Sequence, residues 1–339
     1  MRYLYADTSI WNRLCDQDAD PKAMCSALAL QDVGIVVGFN VLYEMAKPFF
    51  IGTEEATARG QKLLNYMKHY LSLRVPIVKE NWALLVEEAL DVTGTAPMES
   101  FFRNSSQYEM AIQEIDKLLR REIAPEVAEF FAGRKSLVRT SRDALKDQLA
   151  ARPGVKTALG SASEEAIANL LRTDIIVGRT MLLGHLRREF PEHPPESLAI
   201  VARLLLQSPK YRASRALTRS DLYLAWRCAT RGSLRADLPD DTFHVVSASY
   251  CDIFVTTEAD QADIALHAVE GIEARVFNQD EIISDGLLNG VQTGAAVQSG
   301  YNTVHGRVMR LQSGGFFGRV LGTRGQALLA NETPTGGSR

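Results

Sequence analysis

Four carboxylates stand where a folded chain could gather them: Asp7, Glu44, Asp241 and Glu258. Asp7 closes the short apolar run Arg2-Tyr3-Leu4-Tyr5-Ala6 and is followed by Thr8 and Ser9. Glu44 lies a few residues beyond the run Gly34-Ile35-Val36-Val37-Gly38, and Glu258 lies just beyond Ile253-Phe254-Val255-Thr256. Asp241 opens the segment Asp241 to Ala248. Carboxylates brought together in a partly dry site repel one another unless a cation joins them. Hard oxygen ligands with room for water favour Mg²⁺ or Mn²⁺. The chemistry within reach of such a group is hydrolysis, with a metal-bound water as nucleophile and no need of a His or Lys base.

The elements that must position these acids are legible in the pattern of the chain. Short β-branched runs at 2–6, 34–38, 75–78, 253–256 and 274–277 read as strands. Between them, the stretches from Asp7 to about residue 30, 39–46, 55–72 and 80–91 carry helical spacing, with Asn40 expected as an N-cap and Pro48 as a stop. Strands alternating with amphipathic helices predict an α/β unit with a parallel sheet, whose strands deliver ligand-binding residues at their carboxyl ends. From 97 to 230 no strand pattern occurs, and helices are expected at 107–121, 125–132, 140–150, 163–190, 196–207 and 219–230. The expected organisation is 1–96 as the first half of the α/β domain, 97–230 as a helical insertion, 231–285 as the second half, and 286–339 as a Gly-rich basic tail carrying Arg307, Arg310, Arg319 and Arg324.

Composition bounds the function. With 339 residues, 46% hydrophobic and 23% charged, the chain can build a sizeable core. A formal charge of −3 excludes a uniformly basic surface, not local basic patches. The cysteines Cys15, Cys25, Cys228 and Cys251 form no CxxC pair, so reduced thiols and a cytoplasmic location are expected rather than structural zinc. The N-terminal residues lack the apolar run of a signal peptide, and no stretch approaches the roughly 18 apolar residues that cross a bilayer.

Taken in order, Tyr5-Ala6-Asp7-Thr8-Ser9, Val41-Leu42-Tyr43-Glu44, Asp241 with His244 and Ala248, and Cys251 to Glu258 resemble the PIN-domain family over roughly 1–95 and 230–285. The resemblance implies a three-layer α/β/α fold around a parallel sheet, and a Mg²⁺ or Mn²⁺ site held by acids. It implies endoribonuclease activity that leaves a 5′-phosphate and a 3′-hydroxyl. Many members cut RNA; some are toxins restrained by an antitoxin, and others act in RNA processing. By matched position Asp7, Glu44 and Asp241 are metal-site acids. Glu258 stands where the family usually has Asp, with Asp260 as a substitute. The long span between Glu44 and Asp241 is the main departure, so the helical stretch is an elaboration.

Other roles compete for the same residues. Asp-Thr-Ser after a strand also caps helices. His244, one turn from Asp241, is expected as a packed, hydrogen-bonded histidine rather than a ligand. Ser9 and Thr256 are expected to support the acids through their hydroxyls, and Asp252 to turn the chain. A phosphatase of the haloacid-dehalogenase kind would need a second Asp where Ser9 stands, and no GxGxxG marks a dinucleotide site. A PIN-fold module that binds RNA or protein without cutting is the alternative. Two basic runs could meet RNA phosphates or simply face solvent: Arg134, Lys135, Arg139, Arg142, Lys146, Arg152 and Lys156 against Asp143 and Asp147, and Arg203, Lys210, Arg212, Arg215 and Arg219 around Tyr211.

Overall fold

A computed structural model describes residues 1–102, 105–163, 166–167, 169–170, 175–231 and 238–278, together with Ile283 and Leu287. The expected basic tail with Arg307, Arg310, Arg319 and Arg324 lies outside the described residues, as do the side chains of Arg134, Lys135, Arg139 and Arg142.

The N-terminal apolar run forms β1 (Arg2–Ala6), and Asp7 caps α1 (Thr8–Asp16) by accepting from the Ile10 N–H. Helix α2 (Pro21–Ala29) begins with Asp20 as cap and leads to β2 (Val33–Gly38). Then come α3 (Phe39–Ala46), a 3₁₀ turn at Lys47–Phe50 around Pro48, and α4 (Glu54–Ser72). Strand β3 is only Ile77–Val78, shorter than the run 75–78. Pro76 has no N–H for a ladder and serves as an acceptor for the Val37 N–H instead. Helices α5 (Asn81–Val92), α6 (Ser105–Leu119), α7 (Pro125–Ala150), α8 (Pro153–Ser161), α9 (Ile175–Glu189), α10 (Pro195–Gln207), α11 (Arg212–Arg231) and α12 (Leu238–Ala248) follow. Strand β4 (Ile253–Thr256), α13 (Ala259–Ala268) and β5 (Glu273–Val276) complete the described elements.

All five strands are parallel, in the order β3-β2-β1-β4-β5. The expected α/β class is therefore present, with helices in the majority. Residues of β1, β2 and β4 are buried almost throughout, which is why these strands read as continuous apolar runs rather than alternating ones. The chain winds outward from β1 to β3, then returns on the other side of β1 to lay down β4 and β5. That reversal opens a crevice at the carboxyl ends of β1 and β4, the place where open α/β sheets bind ligands.

The long helical stretch does not stand apart. Leu182, Leu186, Leu198, Ala202 and Leu205 belong to the same buried cluster as Leu4, Trp11, Leu64 and Phe254. Helix α11 packs on α5, α9, α12 and α13, and α7 packs on α12 and the 3₁₀ turn. Phe131 of α7 stacks on Phe50 and Tyr43, with ring centroids 4.0 and 4.6 Å apart. The middle of the chain thus lies against the two helices, α3 and α12, that bear Glu44 and Asp241.

Several boundaries differ from the sequence pattern. The stretches 125–132 and 140–150 form one helix, since only Gly133 interrupts the pattern and a lone glycine costs a helix about 1 kcal/mol without ending it. Helix α11 starts at Arg212 instead of 219. Its first turn is held by Glu88, which accepts from the Ala213 N–H (2.7 Å), the Ser214 N–H (2.8 Å), the Ser214 hydroxyl and the Tyr250 hydroxyl. A carboxylate at a helix N-terminus satisfies backbone donors that have no partner inside the helix. Asn40 is not a cap: Gly38 takes that position, and Asn40 reaches across to the Phe243 carbonyl and the Ser247 hydroxyl.

Among the described residues no helix is long and apolar enough to cross a membrane. Cys15, Cys228 and Cys251 are buried, Cys25 is half-buried, and all four are free thiols.

Candidate active site

Asp7 sits at the carboxyl end of β1 because the strand must stop there for α1 to begin. Its carboxylate does the capping that any Asp before a helix can do, and more. One oxygen accepts from the Ser9 hydroxyl (2.6 Å) and the Ile10 N–H (3.0 Å); the other accepts from the Thr256 hydroxyl (2.7 Å) at the end of β4. Thr256 also bridges to Gln261 at 2.7 Å, and the Ser9 hydroxyl receives the Thr257 N–H at 3.1 Å. The hydroxyls expected to support the acid do so, and they tie β1 to β4 at the crevice. Asp7 is 3% exposed, and this burial raises its pKa against the opposing pull of Ser9, His244 and Thr256.

Glu44 and Asp241 arrive from helices on either side. Both act, with Asp7, on one buried imidazole. His244 stands 2.9 Å from the Tyr5 hydroxyl through Nδ1 and 3.2 Å from Glu44 through Nε2. Burial disfavours the imidazolium, but Glu44 first, then Asp7 and Asp241, outweigh it and raise the His244 pKa. Charged, His244 donates to Tyr5 and to Glu44 at once. Glu44 also pairs with Lys47 at 3.2 Å, and despite burial these cations hold its carboxyl well below the usual range. Gly38 permits this arrangement, because a side chain there would overlap the Tyr5 phenol. His244 is thus packed and bonded, as the sequence suggested, and Glu44 meets it directly.

Glu258 heads α13 at the same carboxyl edge, half-buried, with its N–H bonded to the Thr256 hydroxyl at 2.9 Å and no capping bond from its side chain. Asp260, its substitute, is held by Arg227. Asp252 does turn the chain, accepting from the Tyr3 N–H at 2.7 Å. Asp241 lies one turn inside α12, since that helix starts at Leu238.

The donor chemistry of this group suits a small, hard divalent ion. Asp7 is a buried carboxylate bonded to hydroxyls and an amide, and Glu44 meets His244 at 3.2 Å. The placement is less complete than expected: among the described residues, no three Asp, Glu, His or Cys side chains are arranged to hold one ion. The physical reason is local. Glu44 is turned toward His244 and Lys47, so an imidazolium and an ammonium supply the positive charge that a shared metal would otherwise bring.

In the second basic run Lys210, Arg215 and Arg219 are already paired with acids, while Arg203 and Arg212 are exposed. Lys210 pairs with Asp91 at 2.5 Å, while Arg215 and Arg219 both reach Glu270, at 2.6 and 2.5 Å. Tyr211 is buried and donates to Asp91 at 2.8 Å, so it offers no ring for a base. The sequence left these cations to phosphates or to solvent, because their acids lie 51 to 119 positions away along the chain. In the first run, Arg152 and Lys156 are exposed.

No protein-family model, no curated protein and no solved structure matches this chain.

Proposed function

We propose that this chain is a divalent-metal-dependent endoribonuclease with a PIN-like fold, and that Asp7, Glu44 and Asp241, with Glu258 at the rim, hold Mg²⁺ or Mn²⁺. One observation carries the reading. Asp7 is buried at the switch point of a parallel sheet with both oxygens fixed by Ser9, Ile10 and Thr256, and Glu44 meets the buried His244 that also feels the charge of Asp7 and Asp241. Perturbed carboxylates such as Asp7 and Glu44 in such a crevice mark functional sites more often than structural ones.

When bound, the ion lowers the pKa of a water and stabilises charge on the scissile phosphate. The chain's own part is positional. Ser9, Thr256 and the Ile10 N–H fix both oxygens of Asp7, so its orientation is set before any ligand arrives. The acids raise the His244 pKa, so a proton on that ring would offset part of their mutual repulsion. Lys47 and His244 must release Glu44 for that residue to serve a metal. RNA is the proposed substrate; a restraining antitoxin or other protein partner fits a toxin-like role and equally an RNA-processing one.

A second reading, a PIN-fold module that binds RNA or protein without cutting, draws on the engagement of Glu44 by His244 and Lys47. Cleavage of RNA by the purified chain in Mg²⁺ or Mn²⁺, in EDTA, and by Asp7→Asn separates the two. Metal-dependent cleavage lost in Asp7→Asn supports the nuclease. Retained RNA binding with no cleavage under any metal supports the module.

A further inference from the structure

The carboxyl end of β3 opens on the same edge as Asp7, and there the chain places Trp82, in the first turn of α5. Trp82 is half-buried. Its indole meets the Phe243 ring at 5.9 Å, edge to face, and Phe243 lies between Asp241 and His244 on α12. From the helical stretch, α9 brings two more groups to the indole. The Arg188 guanidinium lies over the ring, 3.9 Å from its centroid, and the His185 ring stands 5.4 Å away at 37°. Asp221 of α11 accepts from His185 Nε2 at 2.6 Å, which turns Nδ1 toward Arg188 Nη2 at 3.5 Å. Four elements that are far apart in sequence thus meet at this indole, and one of them is the helix that bears Asp241.

We propose that Trp82, His185 and Arg188 form a nucleotide-binding subsite that holds a phosphate and base of single-stranded RNA next to the carboxylate cluster. The inference takes its ligand class from the nuclease reading. Three features point to an anion with an attached aromatic ring. Arg188 is 44% exposed, and although its Nε is given to the neighbouring Glu189 at 3.1 Å, the exposed edge of its fork is what a phosphate oxygen would meet. A guanidinium carries five donors, and its rigid fork suits phosphate oxygens. An indole with a cation over one face is a stacking surface that accepts any base, which gives affinity without sequence choice.

The test is a fluorescence titration of the full-length chain with an eight-nucleotide oligouridylate in EDTA, where no cleavage occurs. Trp11 and Trp226 are buried, so quenching on base stacking reports Trp82. Saturable quenching is expected, absent in Trp82→Leu. Arg188→Ala and His185→Gln should weaken binding roughly tenfold each, the scale of one stacking or charged phosphate interaction, and Arg188→Lys should recover only part of the affinity. In a cleavage assay with metal, Arg188→Ala should raise KM. No quenching, together with wild-type affinity in Arg188→Ala and Trp82→Leu, would overturn the subsite and leave these side chains as the pins that join α9 to α5. If that result came with normal metal-dependent cleavage, the subsite alone would fail. Trp82-dependent binding without cleavage under any metal would keep the subsite and remove the nuclease.

Discussion

Glu88 and the group of Asp7, Glu44 and Asp241 are carboxylates taken out of water by the same fold, and they are treated differently. Glu88 is fully buried yet surrounded by donors: two backbone N–H groups at the start of α11, a serine hydroxyl and a tyrosine hydroxyl. Every partner is neutral, and the single charge is matched to a helix N-terminus. Around His244, Glu44 meets the imidazole and Lys47, and the charges of Asp7 and Asp241 also act on the ring. The first arrangement satisfies its own hydrogen bonds and charge, and its use is to join α5, α11 and the turn after α12. The second sets charged groups of both signs against one another at the sheet crevice, an arrangement that a helix cap does not require. The two regions teach that burial of an acid does not by itself mark a site; the balance of charge around it does.

The largest effect expected from breaking this contrast lies in cleavage. Asp7→Asn or Asp241→Asn should lower metal-dependent RNA cleavage by several orders of magnitude, because the charge that holds the ion is removed. In EDTA the same variants should melt at or above the wild-type temperature, since repulsion among the acids is relieved. Full cleavage in EDTA would contradict the assignment.

Glu88→Ala should do the reverse. It strands buried donors, each costing about 1–3 kcal/mol, so the urea midpoint should fall clearly. Cleavage per folded molecule should stay at the wild-type level. A variant that unfolds no more easily than wild type would show that Tyr250 and Ser214 find other acceptors.

A smaller effect concerns pH in the absence of metal. The His244 pKa is raised in the folded chain above its ordinary 6.5. Below 6.5 both folded and unfolded chains hold that proton, and the attraction of His244 to Glu44 is present in full. As pH rises through the raised folded value the proton leaves and the contribution disappears. Urea midpoints should therefore fall above pH 6.5, and His244→Gln should remove that part of the slope. Equal slopes in both proteins would mean that His244 stays neutral throughout.

The smallest effect separates the two basic runs. Arg215→Gln with Arg219→Gln should leave the salt dependence of RNA binding unchanged, because Glu270 already holds both cations. Arg152→Gln with Lys156→Gln, at exposed positions, should reduce the slope by nearly one unit for each phosphate no longer neutralised. Identical slopes in all variants would leave both runs without a role in binding.

What the chain determined by itself is local. Runs of β-branched residues become strands, Asp before a polar-apolar repeat becomes a cap, and the order of strands and helices dictates a parallel α/β sheet with Asp7, Glu44 and Glu258 delivered at one edge. Those properties depend on neighbours within a few residues, so they can be read in one dimension. Tertiary structure decided which partner each charge received. Arg219 meets Glu270, Asp260 meets Arg227, and Glu88 reaches the start of α11 across distances in sequence that no spacing rule covers. Asn40 left its expected cap for Phe243 and Ser247 for the same reason. The strength of a charged interaction depends on separation and burial in space, and neither is a property of the order of residues. The convergence of the acids on His244, and of Trp82 with His185 and Arg188, therefore exists only once the sheet is wound and the helical stretch is packed against its edge.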